Sequence, residues 1–177
     1  MLSKEECQDI ERERRERLMA ALQAPIGKKY AFTVYGTPVP QPRQRHRVIK
    51  KGRVAFAVNY TPAKDPVNAW KYAVRIVAQQ AMGSGSPLEG PVRMVAMFYL
   101  PRPQYLMTAK ASDGPIAHTK RCDVDNLLKS VCDALNGVAY RDDAQIWEVK
   151  IVKMYHEKNR GPRAEITLEG ENWISTR

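Results

Sequence analysis

The chain has 177 residues, 44% of them hydrophobic and 27% charged, and its 29 Lys and Arg against 19 Asp and Glu leave a formal net charge of +10. This length and apolar content fit one packed domain and exclude a disordered tail. No run of about 18 apolar residues could form a transmembrane helix, and the charged N-terminus lacks the apolar stretch of a signal peptide, so a cytoplasmic protein with no membrane partner is expected.

Residues 3–23 open with Ser3 and Glu6 at capping-box spacing and continue as E-R-E-R-R-E-R, helical by propensity with only a thin apolar stripe. They predict a charged helical extension over residues 1–27, ended by Pro25 and Gly27. Tyr30, Phe32 and Val34 alternate with their neighbours and predict a first strand over 30–35. The next segment, G-T-P-V-P-Q-P-R-Q-R-H-R, carries three prolines that keep it out of helices and central strands. Residues 45–49 and 53–58 then flank Lys50-Lys51-Gly52 as a hairpin with a basic tip.

Thr61-Pro62 has the pattern of a helix start, a capping hydroxyl followed by proline at the first helical position. Val67, Trp70, Val74, Ala78 and Ala81 follow at helical spacing, so a core-facing helix is expected to end near Gly83. Residues 92–100 form an apolar, central strand, and 101–121 a long loop of the kind that often carries function. Leu127, Leu128, Val131 and Leu135 line a second core helix over 126–135, stopped by Asn136-Gly137. Strands over 145–154 and 163–169 complete an α/β fold: a small mixed β-sheet with two core helices and the charged N-terminal extension.

The chemistry concentrates between Asp123 and Gln145. Asp123 and Asp125 would point the same way if the chain is extended there. A helix of roughly ten residues carries the chain about 15 Å away, and the segment after Gly137 is long enough to bring Asp143 back beside them. Carboxylates gathered in this way repel unless a cation joins them. Cys7, Cys122 and Cys132 lack C-x-x-C spacing, and His46, His118 and His156 are scattered, so any metal must be held by oxygen. Oxygen ligation favours Mg2+, with Mn2+ as a substitute. Lys129, four residues from Asp125, could neutralise charge building on a phosphate. A polyanion would meet Arg43, Arg45, Arg47, Lys50, Lys51 and Arg53 along the basic segment, read as contacts to a DNA backbone.

Each feature has a plainer reading. Asp125 could cap the helix, Asp142-Asp143 could be a solvated turn, and Lys129 could be a surface partner of Asp125. The basic hairpin could be a solvated edge that deters strand-to-strand aggregation. Cys122, Cys132 and Trp70 read as packing residues. The combination carries the argument, rather than any one member.

That combination, D123-V-D-N-L-L-K129, D133-A-L-N-G, D142-D-A-Q145 and K150-I-V-K153, resembles the signature of the RusA family of Holliday junction resolvases over about residues 30–169. G-T-P-V-P-Q-P-R-Q-R is similar to the proline- and arginine-rich segment of many members, whereas Cys122 stands where many relatives place proline. The resemblance implies a RusA-like domain over 28–177 and a homodimeric, Mg2+-dependent crossover junction endodeoxyribonuclease that resolves four-way DNA junctions by paired nicks in recombination and repair. It implies Asp123, Asp125 and Asp143 as metal-binding carboxylates and Lys129 as an essential lysine, with a looser role for Asp142. A nuclease acting on flaps or forks and a non-catalytic junction-binding dimer are the alternatives.

Overall fold

The structure is a computed structural model that describes Arg12 and residues 26–43, 45–52, 54–60 and 62–171. The helical extension expected over residues 1–27 lies outside the described residues except for Arg12 and for Ile26 and Gly27, which begin a strand instead because the strand starts four residues before Tyr30; Arg53 also lies outside them. In chain order the elements are β1 (Ile26–Tyr35), β2 (Arg45–Lys51), β3 (Val54–Tyr60), α1 (Pro66–Met82), β4 (Val92–Leu100), β5 (Ile116–Ala117), α2 (Val124–Leu135), β6 (Ile146–Tyr155) and β7 (Arg163–Glu171).

Five strands form a mixed sheet in the order β1-β7-β4-β6-β5, in which only β4 and β6 run parallel. The sequence of β7, R-A-E-I-T-L-E-G-E, alternates strictly, and the structure buries Ala164, Ile166 and Leu168 while Glu165, Thr167 and Glu169 take the opposite face. In β4 the residues Val92, Met94, Ala96 and Phe98 join the same apolar face. The two helices cover that face, giving a two-layer α/β domain. Val67, Trp70, Val74, Ala78 and Met82 come from α1, and Leu127, Val131 and Leu135 from α2. The other face is laced with ion pairs, among them Arg93–Glu148 at 2.6 Å and Lys29–Glu169 at 2.7 Å. Among the described residues no helix is long and apolar enough to cross a membrane.

Most element bounds match the sequence reading, and the departures have local causes. The first helix starts at Pro66 rather than near Thr61. Two proline signals compete here, and Asp65 wins because its side chain accepts a hydrogen bond from Val67 N at 3.1 Å. From Ala78 the buried face continues at i+4 and not i+3, so Met82 is buried and Ala81, expected in the core, is exposed. Asp65→Ala is expected to cost about 1 kcal/mol of stability, measurable by urea denaturation, without altering any activity.

The 101–121 segment is not featureless. It holds a 3-10 turn at Gln104–Leu106 and the two-residue β5, which pairs with the end of β6. Arg102 is buried and donates to the carbonyls of Ser112, Gly114 and His156, and Lys158 pairs with Asp113 at 2.8 Å. These bonds tie the loop to the sheet. The hairpin forms as read, as a separate two-stranded sheet with Gly52 at φ 64 in its turn.

Candidate functional site

The site is built where α2 begins. Asp123 is the N-cap of α2, with φ −73° and ψ 141°. Asp125 lies in the first helical turn, because the helix starts at Val124. The strand-like alternation expected for Asp123 and Asp125 therefore does not occur. The apolar i, i+3, i+4 pattern, with Leu127 and Val131 fully buried, extends the helix back to Val124 and captures the second aspartate.

An N-cap aspartate ordinarily accepts a hydrogen bond from the helix's first N–H groups, worth about 1 kcal/mol. Two other aspartates do so here: Asp65 on α1, and Asp142, whose Oδ1 accepts from Ala144 N at 2.9 Å in a capping box with Gln145. Asp123 makes no such bond. Its backbone carbonyl accepts from Leu127 N at 3.2 Å, but its carboxylate stays exposed and unspent. Asp125 is exposed as well. Asp142 therefore caps the 3-10 turn, where the sequence reading offered a solvated turn or a looser part in the site.

Asp143 sits in the 3-10 turn Asp143–Gln145, directly before β6. That turn faces the middle of α2. Burial pushes the Cys132 thiol up to about 11, and the charges of Asp143, Asp133 and Lys129 all bear on it. The Tyr140 hydroxyl is likewise raised, first by burial, with Asp143 and Asp133 among the contributing charges. Cys132 is thus a packing residue and not a thiolate. Lys129 pairs not with Asp125 but with Asp133, one turn on, at 3.6 Å. Asp133 is held more tightly from α1 by Lys71 at 2.7 Å, which leaves the exposed Lys129 ammonium only loosely engaged.

The proline-rich segment is fastened to the same place. Gln41 N donates to Asn126 O at 2.8 Å, Pro38 is buried and Val39 packs on the core. The basic run therefore leaves from beside the start of α2, with Arg43 exposed two residues beyond that bond. Arg45, Arg47, Lys50 and Lys51 lie along β2, where the backbone alone is described.

Among the described residues, no three His, Cys, Asp or Glu side chains are gathered closely enough to enclose an ion. The donors present nonetheless suit a hard cation. Asp123 and Asp125 offer exposed carboxylates, and Gln41 Oε1, on the residue bonded to Asn126, is buried without a hydrogen-bond partner. Magnesium is usually held by one or two carboxylates together with waters and substrate phosphates, not by a closed protein cage.

Sequence reasoning assigned no role to three residues here: Lys71 was not singled out, and Asp133 and Lys153 stood only within the family-like motifs. Lys153 could have been found. It occupies the strand position two after Ile151, on the side of β6 that packs toward the core, and an ionisable residue in such a place needs a partner.

The family model described as Endodeoxyribonuclease RusA matches residues 36–169, a span that holds Asp123, Asp125, Asp143, Lys129 and Lys153. A similar protein, "Uncharacterized protein YqaN" of Bacillus subtilis (strain 168), is 37% identical over 142 residues, covering 77% of this chain and 93% of the relative. A basic chain with unspent carboxylates at a helix start, matched over most of its length by that model, belongs to the RusA endodeoxyribonuclease family.

Proposed function

We propose that this protein is a Mg2+-dependent, structure-selective endodeoxyribonuclease that resolves four-way DNA junctions by paired nicks, acting as a homodimer in recombination and repair. The observation that carries the reading is the N-cap carboxylate of Asp123, which forgoes the stabilising bond that Asp65 and Asp142 both make. A carboxylate kept free at a helix start is available to a ligand. The N–H groups of the first turn attract anions, while Asp123 and Asp125 repel them. A divalent cation between carboxylate and phosphate resolves that conflict.

In this reading Asp123 and Asp125 hold the ion from the start of α2, and Asp143 approaches from the turn before β6. When bound, magnesium supplies charge neutralisation at the phosphate and an acidified water. Lys129, loosely paired with Asp133, is free to move toward charge developing on the scissile phosphate. Arg43 and the basic strand β2 hold the flanking backbone, so the junction is selected by shape and charge and not by base edges. Two-fold symmetry of a homodimer presents two equivalent sites to two strands of like polarity.

The test is incubation of the full chain with an end-labelled synthetic four-way junction, a flap and a fork, with and without Mg2+. Symmetric nicks in the junction, abolished by chelator, are the expected result. Faster cutting of the flap or fork would replace the junction assignment, and no cutting of any substrate with Mg2+ or Mn2+ would overturn the nuclease reading.

A further inference from the structure

Cys122 has φ 100°, a conformation that no other described non-glycine residue adopts. Such a backbone is strained and persists only where its surroundings enforce it. The enforcing group comes from the sheet. Lys153 Nζ donates to Cys122 O at 2.5 Å and to Lys120 O at 3.1 Å. The backbone of the same residue binds the same segment, since His118 N donates to Lys153 O at 3.1 Å and β5 pairs alongside at Ala117–Met154. Lys153 thus grips the chain on both sides of the turn. The next residue is Asp123.

From this geometry we infer that Lys153 is a positioning residue: it locks the strained Cys122 turn and so fixes where the Asp123 carboxylate, at the start of α2, stands against the sheet. The inference rests on the nuclease reading for its consequence, and on the hydrogen bonds for its cause. The peptide plane joining Cys122 to Asp123 sets where the chain enters α2, and so where Asp123 lies relative to β6. With the Cys122 carbonyl pinned by an ammonium, that plane cannot rotate. Without the pin, Cys122 relaxes to negative φ and the start of α2, with Asp123, shifts against the sheet. Lys153 thereby opposes the backbone preference of Cys122. Charge-assisted bonds of this kind are roughly twice as strong as neutral ones, enough to match the strain they maintain.

The test compares wild type, Lys153→Met and the double variant Lys153→Met/Cys122→Gly, all as full chains. Glycine adopts positive φ without steric penalty, so it restores the turn without restoring the charge. Binding of Mn2+ is followed by its electron paramagnetic resonance signal, and junction cleavage is followed in parallel. Groups that orient metal ligands typically contribute 10–100-fold to affinity. Lys153→Met is therefore expected to weaken Mn2+ binding and slow cleavage by about 10–100-fold, with metal-free junction binding unchanged in a gel shift. The double variant should recover a substantial part of both losses.

A double variant no better than Lys153→Met would show that Lys153 acts through its own charge, and would overturn the inference. Wild-type Mn2+ affinity in Lys153→Met, beside an active wild-type enzyme, would overturn it alone. A wild type that neither binds Mn2+ nor cuts the junction would overturn the nuclease reading, and the inference with it. Should Lys153→Met not fold, Lys153→Gln replaces it in the same comparison.

Discussion

Asp123→Asn is expected to reduce junction cleavage by at least about a hundredfold, more than groups that merely orient a metal ligand usually contribute. Its stability should stay within about 0.5 kcal/mol of wild type, or rise. The two halves of the expectation come from one observation. The Asp123 carboxylate makes no cap hydrogen bond and is exposed, so removing its charge forfeits nothing in the fold. Asparagine is as good an N-cap as aspartate and has less reason to stay out in solvent. Metal-free binding to a junction should persist, because the substitution deletes a negative charge close to the phosphates. Asp125→Asn and Asp143→Asn should behave alike. Asp65→Ala, which removes a working cap, should show the reverse pattern of lost stability and kept activity. Cleavage rate and urea midpoint measured on the same preparations decide the matter, and full activity in Asp123→Asn would remove the basis of the proposed site.

The largest effect on stability is expected at Arg163. Its side chain is 1% exposed and sits over the Tyr99 ring at 3.6 Å, across the β4–β7 pair. It donates twice to Glu157, at 2.8 and 2.9 Å, and once to Glu165 at 2.7 Å. Removing one partner of a buried charge network typically costs 3–5 kcal/mol because the remaining charges lose their compensation. Glu157 and Glu165 keep contact with Arg160 at 3.7 and 3.6 Å, which favours the lower end of that range. Arg163→Met should therefore destabilise the protein by about 3 kcal/mol at neutral pH.

The same network sets a pH dependence. The hydrogen bonds from Arg163 hold the Glu157 carboxyl at about 2, below its usual 4.5. A depressed carboxyl stabilises the fold above its unfolded value, and that contribution is lost as pH falls from about 4.5 through about 2. Denaturation midpoints should drop over this window in wild type and much less in Arg163→Met. Parallel curves for the two proteins would show that the network does not govern acid stability.

Patterns of local origin were legible in the residues. The alternation in β7, the apolar run of β4, the Gly52 turn and the stop at Asn136-Gly137 depend on neighbours a few positions away, and their bounds match to within a residue or two. The start of α1 was not legible, because Thr61-Pro62 and Asp65-Pro66 send the same signal and only one could be used. The relation of Asp123 to Asp125 was misread for a related reason. The apolar face of α2 begins early enough to draw Asp125 into the first turn.

Residue type and spacing alone determined the class of fold, the hard oxygen donors, the basic run and the likeness to a junction-cutting family. These follow from periodicity and from the chemistry of individual side chains. The three-dimensional arrangement alone decided the β1-β7-β4-β6-β5 order, the docking of Gln41 on Asn126, the pairing of Lys129 with Asp133, and the grip of Lys153 on Cys122. Each of these joins residues distant in the chain or chooses among partners equally reachable from it. Such choices are made by the burial and hydrogen bonding of the whole domain, which no local pattern encodes.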